Sequence, residues 1–101
     1  MKGRISDAAS EDIREARAFV FSKFGRQARQ GLNAEIRRGI ALLREHPLAG
    51  KPAGRMAREH VLDGYPYSII YHVGQDEVVI AALYHHRRDP AFWHNRFGPG
   101  R

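Results

Sequence analysis

The sequence predicts an α+β fold in which two helices come first and a small antiparallel sheet follows. Two observations predict it: apolar residues recur every three or four positions before Pro47, and β-rich runs come after that proline. Because the helices precede the strands rather than alternating with them, we expect a helical hairpin packed on one face of the sheet. The length of 101 residues indicates a single domain, 1–101.

The helical hairpin is predicted over about residues 7–46. Ser6 or Asp7 can cap the first helix, Gly25 ends it, and the second helix stops before Pro47. Each helix carries one apolar stripe, formed by Ala9, Ile13, Ala16, Val20 and Phe24 in the first and by Ala28, Leu32, Ile36, Ile40 and Leu43 in the second.

The strands are predicted over about residues 57–85, in the order strand–helix–helix–three-strand meander. The strongest signal is a hairpin of Tyr67–Val73 and Glu77–Tyr84 joined by a short Gly/Asp turn. Its second run is apolar without alternation, which predicts a central strand covered on both faces. Arg58–Asp63 is the remaining meander strand, and Lys2–Ser6 can open the chain as a fourth strand beside the last.

The segments outside these elements are predicted to be irregular. Residues 47–54 are a loop by composition, and a terminal turn and tail are expected over 86–101. Asp89-Pro90 starts the turn, Trp93 offers an aromatic anchor, and the chain from Asn95 onward is expected to fray.

The composition limits the classes of function. The net charge is +6, and residues 26–58 carry eight of the cations with only two carboxylates, which favours an acidic protein or a nucleic acid as partner. There is no cysteine, no apolar run of about 18 residues and no secretory signal, so we expect a cytoplasmic protein without membrane contact.

The sharpest candidate for chemistry is His85-His86-Arg87-Arg88 at the end of the central strand. A histidine beside arginines suits acid–base work while guanidinium groups hold a phosphate. The competing interpretation is structural, with His85 hydrogen-bonded and the arginines anchoring the terminal turn through Asp89. No carboxylate or cysteine stands at ligand spacing from the histidines, so we predict neither a metal nor a cofactor.

The chain resembles the RelE/ParE superfamily of type II toxin–antitoxin toxins. The resemblance rests on an ordered set: Ser6-Asp7-Ala8-Ala9, Asp12-Ile13, Pro47, Gly50, Arg58, Tyr65-Pro66-Tyr67, Ile69-Ile70-Tyr71, Val78 to Leu83, and His85-x-Arg87-Arg88-x-Pro90-x-x-Trp93. It implies a compact strand–helix–helix–three-strand fold and a cognate antitoxin that wraps the toxin. It also implies a cytoplasmic target, either DNA gyrase or ribosome-bound messenger RNA.

The candidate site favours the gyrase-directed, ParE-like branch. The RNA-cleaving branch typically has an arginine where this chain has Ser68, whereas the extended tail through Trp93 looks ParE-like. The alternatives are a ribosome-dependent endoribonuclease, with His85, Arg58 and Arg87 as catalytic residues, and an inactive toxin-fold module or small nucleic-acid-binding domain.

Two sets of partner-binding residues follow from the same resemblance and from the charge and apolar patterns. The target-binding candidates are Lys51, Arg55, His86, Arg88 and Trp93. The antitoxin-binding candidates are Ile13, Val20, Leu32 and Ile36, from the helix stripes. We expect an acidic antitoxin, whose helix or strand docks on the basic toxin.

Overall fold

The computed structural model describes residues 1–54 and 56–97 as a five-stranded sheet with two long helices against one face. The elements in chain order are β1 (Lys2–Ile5), α1 (Asp7–Phe24), α2 (Arg26–Glu45), β2 (Lys51–Pro52), β3 (Arg58–Val61), β4 (Tyr67–Val73), β5 (Glu77–His85), α3 (Ala91–His94) and a 3-10 turn (Asn95–Phe97). The predicted α+β class with its helical hairpin is confirmed.

The sheet has the strand order β1-β5-β4-β3-β2. Strands β3, β4 and β5 form the predicted antiparallel meander, and β1 joins beside β5 in parallel, with Ile5 opposite Ile80. The prediction that residues 47–54 are only a loop is wrong at Lys51–Pro52, which pair with β3. Proline has no N–H to donate, so β2 stays a two-residue edge strand.

The helical hairpin is fixed by its caps. The Ser6 hydroxyl accepts a hydrogen bond from the Ala9 N–H at 3.1 Å and so caps α1. Gly25 is the single residue between the helices, and its φ of 92° lies in the region that side chains disfavour. One glycine therefore reverses the chain and lets α2 pack back on α1.

The main core lies between the hairpin and the sheet. Its helical residues are Ala9, Ala16, Val20, Leu32, Ile36 and Leu43, and its strand residues include Tyr67, Ile69, Tyr71, Val78, Ile80 and Leu83. Along β4, Tyr67, Ile69 and Tyr71 thus face the helices, whereas Ile70 faces the other side of the sheet. The stripe prediction is wrong for Phe24, which is 71% exposed, because it is the last residue of α1 before the chain turns away at Gly25.

A smaller core covers the opposite face of the sheet, where Trp93 packs with Ala57, Ile70 and Ala82. Strand β5 is thus covered on both faces, as its unbroken apolar sequence predicts. The prediction of a frayed tail is wrong for Asn95–Phe97, since these residues form a 3-10 turn beside the buried Trp93. The remainder of the predicted tail, residues 98–101, lies outside the described part of the chain.

The two long helices are amphipathic rather than apolar throughout. Within residues 1–54 and 56–97, no helix has both the length and the apolar character needed to cross a bilayer.

Candidate functional site

A concave surface lies between α1, the start of β4 and the end of β5. It consists of two adjoining clefts of about 380 Å³ and 340 Å³, and Phe19, Tyr67 and His85 line both of them. We call this surface the α1 groove. One end is bounded by Asp12, Arg87 and Arg88, and the other by Phe24 and Tyr65.

The wall that α1 contributes to the groove is aromatic and exposed. Phe19 is 48% exposed and Phe24 is 71% exposed, and both line the groove. A third phenylalanine, Phe21, is 47% exposed but does not line the groove; the Arg29 guanidinium lies 4.5 Å from its ring centre. Exposed apolar side chains clustered beside a groove are typical of a protein-binding surface.

His85 lies at the centre of the groove, edge-on to Tyr67 at 5.0 Å between ring centres and to Phe19 at 6.4 Å. Burial lowers the pKa of His85, and the charges of His86 and Arg87 lower it further. Its Nδ1 accepts a hydrogen bond from the Arg87 N–H at 3.0 Å. In the neutral imidazole, the proton is therefore on Nε2, and this nitrogen can donate a hydrogen bond.

We expect acidification to destabilise the protein partly through His85 and His60. Burial also lowers the pKa of His60 from 6.5, although the Glu35 charge opposes this shift. Because both pKa values are lower in the folded state, the unfolded chain binds more protons below about pH 6.5. The stability that the neutral rings contribute is present above pH 6.5 and is lost as the pH falls through the lower, folded-state values.

Urea unfolding between pH 7.5 and 5 measures this effect. His85→Gln and His60→Gln should each give a shallower fall in the free energy of unfolding than the wild type. If the free energy of unfolding of both variants falls with pH as steeply as that of the wild type, the lowered pKa values do not contribute to stability.

The basic cluster at the end of β5 consists of His86, Arg87 and Arg88, and all three are exposed. The His86 N–H donates to the Pro66 carbonyl at 3.0 Å, and its Nε2 shares a hydrogen bond of 2.8 Å with the Ser68 hydroxyl. Ser68 is fully buried, so this contact positions the histidine and does not present a nucleophile. The Arg88 guanidinium lies 3.9 Å from the ring centre of Phe92.

Arg58 is not part of the groove. Its Nη1 donates to the Gly50 carbonyl at 2.6 Å and to the Leu48 carbonyl at 3.4 Å, which fastens the chain between α2 and β2. Arg58 pairs with Tyr71, whereas His85 pairs with Tyr67. Four residues along a strand amount to roughly 13 Å, so the three predicted catalytic residues are not brought together, although His85 and Arg87 are adjacent.

The predicted target-binding residues do not form one surface. His86 and Arg88 lie together, but Lys51 is on β2 at the far edge of the sheet, 3.9 Å from the Glu59 carboxylate. Trp93 is only 4% exposed, which corrects its prediction as a surface contact: its ring fills the smaller core. Arg55 lies outside the residues that the structure describes.

The predicted antitoxin-binding residues are also mostly internal. Val20, Leu32 and Ile36 are buried in the main core, and Ile13 is half-buried against it. Because these side chains pack in the protein's own core, they do not together form an exposed surface for an antitoxin. Val20 alone also lines the α1 groove.

One contact that the sequence does not reveal lies at an end of the groove. The Asp12 carboxylate accepts from both Arg96 Nη groups, at 2.6 and 3.1 Å, and from the Leu83 N–H at 3.1 Å. Arg96 also donates to the Ala81 carbonyl at 2.8 Å. The partners are 84 residues apart in the chain, so no local pattern signals the pair.

The described part of the chain brings together no group of three histidine, aspartate or glutamate side chains that could hold a metal. The described residues thus form a small α+β domain, in which a helical hairpin on a mixed sheet places an aromatic groove beside a basic cluster. The chain belongs to the family described as "ParE toxin of type II toxin-antitoxin system, parDE", whose model matches residues 4–90.

The fold is also similar to that of a solved structure titled "Chromosomal ParDE TA system from P. aeruginosa". The TM-score is 0.76 at 18% sequence identity, over 84% of this chain and 95% of that one. At this identity the likeness concerns the fold alone. No curated protein matches the sequence significantly.

Proposed function

We propose that this ParE-family toxin acts in the cytoplasm by binding and inhibiting DNA gyrase, without chemistry of its own, and that a cognate antitoxin neutralises it. Membership of the ParE family supports the toxin role. The observation that carries the choice of mechanism is the state of His85. Its Nδ1 is occupied by the Arg87 N–H, and its lowered pKa keeps the ring neutral.

RNA cleavage needs an acid–base pair and a cation on the phosphate, all within reach of one another. His85 and Arg87 are adjacent, but Arg58 holds backbone carbonyls on another part of the sheet. A neutral histidine that donates from Nε2 is suited to binding a partner's acceptor. These features support a toxin that binds its target rather than one that cleaves it.

The basic cluster His86, Arg87 and Arg88 is the surface proposed to contact gyrase. The Ser68 and Pro66 contacts hold His86, and Phe92 holds Arg88, so the cations are presented by a rigid strand end. Holding His86 and Arg88 in place reduces the side-chain freedom that these two residues lose on binding, which favours affinity.

A supercoiling assay with purified gyrase tests this function. The wild-type protein should inhibit at micromolar concentration, and Arg87→Glu with Arg88→Glu should weaken inhibition at least about tenfold, because the charge at the contact is reversed. Arg26→Glu with Arg37→Glu on α2 makes the same change in net charge away from the cluster and should inhibit like the wild type. No inhibition by the wild type contradicts the proposal.

The alternative function is a ribosome-dependent mRNA endoribonuclease, which the adjacent His85 and Arg87 in the groove favour. Primer extension on a reporter RNA in a translation extract distinguishes the two with the same protein preparation. Ribosome-dependent cuts that disappear in the His85→Ala, Arg87→Ala double variant would establish cleavage. Intact RNA together with blocked supercoiling supports gyrase inhibition.

The α1 groove is the surface proposed for the antitoxin. Phe19 and Phe24 offer exposed rings for an apolar segment, and the net charge of +6 favours an acidic partner. The groove thus takes the role that the sequence assigned to the buried helix stripes.

A further inference from the structure

Strand β5 extends beyond its neighbour β1, and this leaves a bare edge. Their pairing ends at Ile5 and Ile80, and the Ser6 N–H makes the last bond, to the Ile80 carbonyl at 3.0 Å. Past that point, no strand within residues 1–54 and 56–97 pairs with the Ala81 carbonyl and the Leu83 N–H on this side of β5. Buried backbone groups need partners, so something else must bind them.

Two side chains complete this edge. Asp12 of α1 accepts from the Leu83 N–H, and Arg96 of the 3-10 turn donates to the Ala81 carbonyl. The same two side chains form a bidentate ion pair with each other. Arg96 therefore ties the terminal segment to α1 around the open edge of β5.

Residues 86–97 are held at both ends. His86 is fixed at the start by Ser68 and Pro66, and Arg96 is fixed near the end by Asp12 and Ala81. Between them, α3 is only four residues long, and its one buried residue is Trp93. A helix this short has little stability of its own, so its position depends on these anchors.

We propose that residues 89–97 form a latch, that the Asp12–Arg96 ion pair keeps it closed, and that Arg96 thereby positions the basic cluster. When the latch is closed, Phe92 lies under Arg88, and Trp93 covers Ile70 and Ala82. Opening removes the Phe92 support from Arg88 and uncovers that face of the sheet. The part of this inference that concerns the target rests on the proposed gyrase function.

Trp93 is the only tryptophan in the chain, so its fluorescence reports the latch directly. In Arg96→Gln we expect emission at longer wavelength and a severalfold rise in acrylamide quenching, with unchanged far-UV circular dichroism. Asp12→Asn should change the fluorescence of Trp93 in the same way. The double variant should show little further change, because both substitutions break the same Asp12–Arg96 ion pair. Arg4→Gln, which breaks the Glu77 ion pair at the other end of the β5 edge, should leave Trp93 as in the wild type.

Wild-type Trp93 emission and quenching in Arg96→Gln would overturn the latch. If Arg96→Gln does not fold, native-state hydrogen exchange of the wild-type protein tests whether the latch opens locally. Amides of residues 91–97 should exchange through a local opening faster than those of β4 and β5, and exchange only by global unfolding would overturn the proposal.

Gyrase inhibition separates the latch from its role in positioning. If Arg96→Gln exposes Trp93 and also inhibits gyrase more weakly than the wild type, the result supports the role of Arg96 in positioning the basic cluster. If the variant exposes Trp93 but inhibits gyrase fully, that positioning role is overturned. If the wild type does not inhibit gyrase, the proposed function fails, while the Trp93 measurements still judge the latch.

Discussion

Replacing Phe19 and Phe24 with aspartate should abolish neutralisation by the antitoxin while leaving the protein toxic. Both rings are exposed on the wall of the α1 groove, so the substitutions do not disturb the core. Losing two aromatic anchors, and placing charges where an apolar segment must dock, should weaken binding on the order of 100- to 1,000-fold. Growth of cells that co-express the variant with the antitoxin measures this: the wild-type pair should grow, and the variant pair should not.

Phe21→Asp is the matched control for this experiment. Phe21 has nearly the same exposure on the same helix but lies outside the groove, so its variant should remain neutralised. Equal neutralisation of all the variants would place the antitoxin elsewhere. Loss of toxicity in the Phe19, Phe24 variant alone would instead mean that the groove also contacts the target.

Replacing Gly50 with alanine should cost about 1–3 kcal/mol of folding stability, the usual result of overfilling a packed site. A Cβ at this position would lie 2.6 Å from the Tyr71 hydroxyl and 2.8 Å from the Glu59 carbonyl oxygen. Tyr71 is fully buried, and its hydroxyl accepts from the Gly50 N–H and donates to the Pro47 carbonyl, both at 2.8 Å. The Tyr71 hydroxyl cannot move away without breaking these bonds, and the Glu59 carbonyl belongs to the backbone of β3, which is paired with β4. Urea unfolding measures the loss.

Gly74→Ala is the control, because a Cβ there meets its nearest atom at 3.4 Å, an ordinary contact. Its stability should stay within about 0.5 kcal/mol of the wild type. Tyr71→Phe separates the effect of overfilling the site from the effect of losing the hydrogen bonds, because it removes the Tyr71 hydroxyl without adding a Cβ at Gly50. A Gly50→Ala variant as stable as Gly74→Ala would show that the chain between α2 and β2 adapts freely.

The Gly50 site also explains why Arg58 is a poor catalytic candidate. The arginine donates to the carbonyl of the same glycine whose N–H binds Tyr71. Its charge is thus used to hold the loop after α2 in place. In the sequence, Arg58 is only one arginine of a basic segment, and nothing local distinguishes a structural arginine from one that binds phosphate.

The sequence by itself determined the elements and their main packing. The apolar spacing of three and four in residues 9–43, Gly25 between the helices, and the unbroken apolar run of β5 are local signals, and each is realised in the fold. Periodicity reports which face of an element is apolar, and the caps and turns act within a few residues. The resemblance to the RelE/ParE superfamily can be recognised in the sequence for the same reason, because its motifs lie along these helices and strands.

Only the tertiary structure decided which apolar and charged residues remain available to a partner. Phe24 continues the helix stripe yet is exposed, whereas Leu32 and Ile36 are covered by the sheet. Asp12 and Arg96 meet across the edge that β1 leaves bare, although each lies in an ordinary charged context in the sequence. Burial and pairing at these positions depend on where distant strands begin and end. Residues that are so far apart in the chain form no local sequence pattern, so their contact cannot be predicted from periodicity.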